Sequence, residues 1–304
     1  IIIPQPLDLQ LNDGYFTLDS DTGLSYDSTF SNLSIIVNYA RNWIYGATQF
    51  NLRILSSPMS IGIVFDTPNE ERNGLKSMED EEYQLTVTKE RVLIVSSSYN
   101  GFFYGFTTLL QLLPPQIYNL DPDIECSLVD TEECRKYDWE PNKGVEWSSP
   151  CVTIKDKPRF GYRGVLLDTS RHFFTVDVIK RLIRLLAILK INHFQIHLTD
   201  DQGNRFESIK YPGFQMVGSI RKSSPLPWDS TKSDNTQYGP FYYTQDQLRD
   251  LVKYASQLGV TIVPEFELPG HALGALAPYY QYSCRQMPIR VACQWGSSLE
   301  IYCP

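Results

Sequence analysis

Three polar side chains stand just past three short apolar runs: Arg171 in Asp168-Thr169-Ser170-Arg171-His172, Asp200 in Thr199-Asp200-Asp201, and His271 in Pro269-Gly270-His271. A guanidinium presents a rigid fork of donors that can bind two neighbouring hydroxyls. An Asp–His pair can hold an imidazole in one tautomer and one orientation. Each residue alone has a plainer reading: Arg171 pairs with Asp168 or another carboxylate, Asp200 caps the following loop, and His271 is a satisfied core histidine. Together, at three successive strand ends, they point to a site for a polyhydroxylated ligand.

Other groups carry weaker signals. His193 and His197 lie four apart and share a strand face, but no third ligand stands at clear spacing, so no metal is expected. Glu265 and Glu267 also share a face and have the look of a glycosidase carboxylate pair; bracing of loops or neighbouring strands is the preferred reading. The acidic run Glu79-Asp80-Glu81-Glu82 reads as a solvated turn. Tyr279, Tyr280 and Tyr282 either stack on a sugar or pack a loop.

The elements that must position these groups fall into two regions. Residues 1 to about 155 read as a small α+β domain. Ser60–Phe65, Tyr83–Val87 and Arg91–Val95 are strand-like, and Gly101–Leu113 is a helix capped by Asn100 and stopped by Pro114-Pro115. A polar, cysteine-bearing connector runs from Asp121 to Ser149. Residues 156–304 alternate between strands and helices. Tyr162–Asp168, His193–Thr199 and Val260–Phe266 are strands. Thr175 caps a helix whose face is Ile179, Leu182, Ile183, Leu186 and Leu189. Thr244-Gln245-Asp246-Gln247 fits a capping box leading into Leu248, Leu251, Val252, Ala255 and Leu258, with Gly259 as the stop. This alternation predicts βαβ units and a parallel sheet, whose sites gather at the carboxyl ends of the strands. The stretch between Asp201 and Tyr243 is long for a loop without elements and is therefore suspected of function.

A net charge of −8 argues against a nucleic-acid protein, and no apolar run approaches the roughly 20 residues that span a bilayer. Ile1-Ile2-Ile3-Pro4 reads as a mature terminus left after processing rather than a signal peptide. The six cysteines form two clusters, Cys126, Cys134, Cys151 and Cys284, Cys293, Cys303, without metal spacing. Bridges in an oxidising compartment are preferred over free thiols, and the odd count in each cluster excludes three bridges confined within clusters. Asn32-Leu33-Ser34 is a glycosylation sequon that agrees with a secretory route.

Arg163–His172, His193–Gly203 and Val263–His271 resemble, in order and spacing, the first three barrel-strand motifs of glycoside hydrolase family 20 β-N-acetylhexosaminidases of the eukaryotic secreted or lysosomal type. Residues 60 to 113 resemble, less specifically, the α/β domain that precedes the barrel. The resemblance implies a small α+β domain followed by the first three βα units of a TIM (β/α)8 barrel. It implies exo-hydrolysis of terminal β-linked N-acetylglucosamine or N-acetylgalactosamine with retention, the substrate's acetamido carbonyl acting as nucleophile through an oxazolinium intermediate. Arg171 would bind the 3- and 4-hydroxyls, and Asp200 with His271 would form a relay supporting an acid Glu; no cofactor is implied. Asn204 stands where the family has tryptophan, and Glu267 where it commonly has Asp. The family's Gly-Asp-Glu segment does not follow His271, and three βα units cannot close a barrel of about 250 residues. The expectation is therefore a second chain of the same precursor, or a missing segment, that completes the barrel. At least one of Cys284, Cys293 and Cys303 would bridge within the tail loop or to that part. Partners expected are glycans ending in N-acetylhexosamine and a second subunit in a homodimer or heterodimer. The competing reading is a non-catalytic sugar-binding homologue that has lost the acid.

Overall fold

The computed structural model describes residues 2–30, 32–57, 61–69, 80–129, 139–226, 229–296 and 298–303. The chain divides into two compact units: Ile1–Arg163 with Arg181–Asn192 and Gln257–Gly259, and Gly164–Lys180 with His193–Ser256 and Val260–Pro304. No helix among the described residues is long and apolar enough to cross a membrane.

In the first unit β1 (Asp8–Thr17), β2 (Leu24–Tyr26), β3 (Ile54–Leu55), β4 (Gly62–Asp66), β5 (Tyr83–Val87), β6 (Arg91–Val95) and β7 (Ser148–Asp156) form one sheet in the order β1-β7-β5-β6-β4-β2-β3. The β1, β7, β5 and β6 neighbours pair antiparallel, and β6, β4, β2 and β3 run parallel. Alternation sets the faces: Tyr83, Leu85 and Val87 of β5 are buried, while Gln84 and Thr86 are half-buried. Helix α1 (Leu33–Thr48) buries Leu33, Ile36, Val37, Ala40, Trp43, Ile44 and Ala47, a stripe at spacings of three and four. Helix α2 (Tyr99–Leu112) starts at Ser98, whose hydroxyl accepts from the Gly101 amide at 3.0 Å. Asn100, the expected cap, lies instead in the first turn, because the serine hydroxyl is already placed to satisfy that amide. A Cβ on Gly101 would lie 2.4 Å from the Glu82 carbonyl, so this close approach of helix to sheet requires glycine.

Two expectations for this unit need correction. The Asp121–Ser149 connector contains helix α3 (Pro122–Val129) and the first residues of β7. The acidic run is not wholly a solvated turn. Glu81 is buried, its Oε2 accepting from Arg163 Nη1 at 2.9 Å and its Oε1 from Asn192 (3.1 Å), Tyr104 (3.1 Å) and Asn100 (3.2 Å). Burial pushes its pKa up, and the hydrogen bonds from Arg163, Asn192 and Asn100 outweigh that and bring it down. Ser60, the expected start of a strand, and Glu79 lie outside the described residues.

The second unit holds β8 (Gly164–Asp168), β9 (His193–His197) and β14 (Thr261–Glu265), a parallel sheet in the order β14-β9-β8. Helices α4 (Val176–Ile188) and α6 (Gln245–Gln257) lie on the chain between these strands. Register sets Asp168, His197 and Glu265 side by side at the carboxyl edge. The capping box forms reciprocally: Gln247 N donates to Thr244 Oγ1 (3.1 Å), and Thr244 N donates to Gln247 Oε1 (2.9 Å). Val252 is 52 % exposed, and Tyr254 takes the buried position beside Leu251 and Ala255. The 201–243 stretch is not structureless. It carries β11 (Gly203–Asn204), paired to β10 (Thr199–Asp200), then α5 (Gly213–Met216), β12 (Pro225–Leu226) and β13 (Asp229–Ser233). The last helix is α7 (Leu273–Leu276).

Replacing Glu81 by Ala would remove, in a buried place, the carboxylate paired with Arg163 and an acceptor shared by Asn192, Tyr104 and Asn100. A stability loss of about 3–5 kcal/mol is expected, against about 0.5 kcal/mol for a solvated turn residue; denaturant unfolding distinguishes the two.

Candidate functional site

Asp200 is the floor of the site. Its side chain is 1 % exposed, and three nitrogens reach it: Arg171 Nη2 at 2.7 Å, His197 Nε2 at 2.8 Å and His271 Nδ1 at 3.1 Å. The structure thus brings together the residues from the three strand ends, with Arg171 and His271 partly open above the buried carboxylate. Burial alone would raise the Asp200 pKa; hydrogen bonds from His197 and the Asp201 amide, with the Arg171 charge and His271, hold it below the usual carboxylate range.

Arg171 realises its plainer reading as well. Nη1 donates to Asp168 Oδ2 at 2.8 Å, Nε to Gln202 Oε1 at 3.1 Å and Nη2 to Asp200. A guanidinium has five N–H groups. Those three bonds leave one on each terminal nitrogen, with Nη1 3.4 Å from His197 Nε2 and Nη2 3.5 Å from His271 Nδ1. His271 commits Nδ1 to Asp200, which leaves Nε2 on the opposite edge of the ring to reach a further group. Its backbone sits at φ 51, a left-handed conformation uncommon outside glycine. The neighbouring Pro269 carbonyl is tied down by the Tyr302 amide at 2.9 Å.

Asp168, His197 and Glu265, set in one row by the strand register, extend the network. His197 faces Asp200 through Nε2 and Glu265 through Nδ1 at 3.1 Å, with Glu267 at 3.8 Å. Only the doubly protonated ring donates from both nitrogens. Burial pushes its pKa down, but Asp200, Glu265 and the charge of Asp168 prevail and raise it. Glu265 and Glu267 diverge. Both are pushed up by burial; Gln195 and His197 bring Glu265 down on balance, while hydrogen bonding to Glu265 keeps Glu267 raised. The pair braces β9, with Gln195 Nε2 donating to Glu265 Oε2 at 2.6 Å.

Sequence reasoning passed over Arg205, the second residue after Gly203. It is fully buried and donates to the carbonyls of Ser170 (2.6 Å), Ser219 (2.9 Å), Phe241 (2.9 Å) and Gln202 (3.4 Å). Burial first, and then the charge of Arg221, bring its pKa down to about 10. One side chain thereby fastens the segment carrying Arg171 to the turn carrying Gln202 and to two places in the 201–243 stretch. A Cβ on Gly203 would meet Arg205 Nη2 at 2.2 Å, and this Gly-x-Arg spacing was the available signal. Asp201 is equally structural: its carboxylate accepts from the Leu273 and Ser298 amides at 3.1 and 3.0 Å. Tyr279 packs edge-on against Phe214 and Tyr211, and its hydroxyl accepts from the Gly213 amide, so it packs a loop. Tyr280 and Tyr282 are exposed.

Among the described residues, two groups hold enough ligand-type atoms for a cation, His197 with Glu265 and Glu267, and Asp200 with Asp201 and His271. In both, the atoms are engaged in the hydrogen bonds above. Asn32 is exposed at the start of α1 with φ 66. Cys126 is disulfide-bonded; Cys151 is a buried free thiol, Cys284, Cys293 and Cys303 are free, and Cys134 lies outside the described residues.

Residues 1–157 match the model of glycosyl hydrolase family 20, domain 2, and residues 160–304 match that family's catalytic domain. The chain is 35 % identical over 308 residues to a β-hexosaminidase of Porphyromonas gingivalis, covering 99 % of this chain and 34 % of that protein. It is 30 % identical to a β-hexosaminidase of Vibrio furnissii, covering 90 % of this chain and 38 % of that one. Among solved structures, the family 20 β-N-acetylhexosaminidase of Streptomyces coelicolor A3(2) superposes with a TM-score of 0.81 at 26 % identity, over 99 % of this chain and 53 % of that one. These define the fold of a family 20 glycoside hydrolase, with a first domain preceding part of an α/β catalytic domain. The chain belongs to glycosyl hydrolase family 20, and it spans roughly a third of the length of these two curated relatives.

A Cβ on Gly274 would lie 2.7 Å from the Asp200 carbonyl and 2.9 Å from the Asn204 amide. Gly274→Ala is expected to displace the Asp200 turn and weaken ligand binding by about tenfold or more, measurable by titration calorimetry. His197 supplies a pH test. Its folded pKa is raised above 6.5, so its contribution to stability is complete below 6.5 and is lost as pH rises through the raised value. Denaturant unfolding of the parent protein is expected to show that decline, and His197→Gln to abolish it; an unchanged slope would count against a protonated His197.

Proposed function

We propose that this chain supplies the sugar grip and the proton-relay support of a retaining exo-β-N-acetylhexosaminidase. The observation that carries the reading is the meeting of Arg171 and His271 on the buried Asp200. The two remaining Arg171 donors bind the 3- and 4-hydroxyls of a terminal N-acetylglucosamine or N-acetylgalactosamine. A ring whose 3- and 4-hydroxyls are both engaged there has no room for a sugar attached at either, which gives exo action. The substrate's acetamido carbonyl attacks the anomeric carbon to form an oxazolinium, so no enzyme carboxylate is needed as nucleophile.

The relay works by fixed orientation. Asp200 accepts the Nδ1 proton of His271 and so presents Nε2 to an acid Glu, whose pKa the pair tunes. That Glu, and the Asp that orients the acetamido group, belong to a segment outside these 304 residues. The second unit is the first part of a (β/α)8 barrel. Val165 and Leu166 on β8, an edge strand of the three, are 36 and 52 % exposed, the condition of a sheet that further strands complete. The precursor's remaining part is the partner proposed, alongside glycans ending in N-acetylhexosamine and a second subunit. The disulfide at Cys126 and the exposed sequon at Asn32 favour a secretory or lysosomal setting. A product complex with N-acetylglucosamine is known for the related Streptomyces plicatus enzyme, and we carry that sugar class to this chain.

With the full-length protein and an aryl β-N-acetylglucosaminide, Arg171→Ala is expected to lower kcat/KM by about 100-fold or more, since two charge-assisted hydrogen bonds are lost. His271→Ala is expected to shift the pH profile of kcat. Sugar binding without turnover by the parent protein would overturn the enzymatic reading in favour of a lectin-like one.

A further inference from the structure

The segment after η-type turn Ala277–Tyr282 returns on itself. Ser283 and Tyr302 face each other across an isolated antiparallel bridge, with Cys284 N donating to the Ile301 carbonyl at 3.2 Å and Cys303 N to the Tyr282 carbonyl at 3.0 Å. One step further in, Arg285 Nε pairs with Glu300 Oε1 at 3.0 Å. Side chains alternate along each strand of such a stem, so Cys284 and Cys303 project to the same face, opposite to Ser283 and Tyr302. Both are exposed. The Cys303 thiol is the group that acts most strongly on Cys284, hydrogen-bonding to it and raising its pKa. Cys293 stands apart, with its sulfur directed at the Val291 carbonyl.

We propose that Cys284 and Cys303 form a disulfide that staples the base of the loop between them. The co-reactant is a small-molecule disulfide such as oxidised glutathione. One cysteine thiolate displaces a glutathione thiolate to give a mixed disulfide, and the second displaces the other. One Sγ–Sγ bond forms, the glutathione S–S bond breaks, and the two cysteine protons end on two glutathione thiols. The pair is built for this by backbone hydrogen bonds on both sides of it, which hold the two segments together with both side chains on one face.

The stapled loop bears on the site. Its Ala292 amide donates to the Asp201 carbonyl (2.9 Å), its Ser298 amide to the Asp201 carboxylate (3.0 Å), and its Gln294 carbonyl accepts from Gln202 Nε2 (2.9 Å). Gln202 is in turn the acceptor for Arg171 Nε. The bond therefore limits how far the loop can draw Gln202 away from the guanidinium. This consequence, unlike the bond itself, rests on the proposed role of Arg171.

The test uses the full-length protein equilibrated with oxidised glutathione, alkylated, digested and analysed by mass spectrometry. Expected is a Cys284–Cys303 linked species two hydrogens lighter than the dithiol form, abolished by dithiothreitol, with Cys293 alkylated, and unaffected by Cys293→Ser. Alkylation of both Cys284 and Cys303, or a link from either to Cys293, would overturn the proposal. Kinetics form the second arm: Cys303→Ser is expected to raise KM several-fold with kcat held within about twofold. An intact bridge in the parent protein with an unchanged KM in Cys303→Ser would overturn the coupling to Arg171 and leave the bond standing.

Discussion

A carboxylate taken out of water is tolerated only when donors replace its hydration, and Asp200 meets that condition with three cationic or ring nitrogens from three different segments. Arg171 arrives from beyond β8, His197 from the end of β9 and His271 from beyond β14. The need to compensate one buried charge therefore fixes the relative positions of three strand ends. Any ligand reaching this place meets a guanidinium and an imidazole already oriented, and the ordering cost is met during folding rather than at binding.

The arrangement below Asp200 shows how like charges are kept apart. Asp168, Asp200, Glu265 and Glu267 crowd one edge of a parallel sheet, and Arg171 and His197 are interleaved among them. Arg171 separates Asp168 from Asp200, and His197 separates Asp200 from Glu265. Glu267, with no cation nearer than 3.8 Å, is the carboxylate whose pKa is driven up. The site thus alternates in sign from β8 to β14, with the raised Glu267 at its end.

Much of this was legible in the sequence because it follows from period and punctuation. The three strands, the Thr244 capping box and the Gly259 stop are local, and each needs only a few neighbouring residues. The convergence of Arg171, Asp200 and His271 followed from the rule that parallel sheets gather sites at their carboxyl edge. What escaped were residues whose role depends on distant partners. Glu81 looked like part of a solvated acidic run, and its ion-pair partner Arg163 and the donor Asn192 lie more than 80 positions away. Arg205 escaped for the same reason: its acceptors are carbonyls of Ser170, Ser219 and Phe241, and backbone acceptors leave no trace in side-chain spacing. Helix α1 carries an apolar stripe and begins after Asn32, whose side chain makes no cap bond.

The 201–243 stretch shows why a long segment between strand and helix need not be loose. Arg205 and Arg221 both come from it, and both lie against the Tyr238 ring, at 5.6 and 3.8 Å from its centroid. Phe173 stacks on Phe241 and Tyr243, which brings the residues just after Arg171 against the far end of the same stretch. Two guanidiniums and four aromatic rings thus supply the packing that holds its short strands and helix in place. Such a core is directional where an aliphatic one is not: each guanidinium must keep its carbonyls or its ring face, so the backbone that carries Arg171 has few alternative positions. The position of Arg171 is in this sense set more than 30 residues downstream, by the groups that deny its backbone freedom to move.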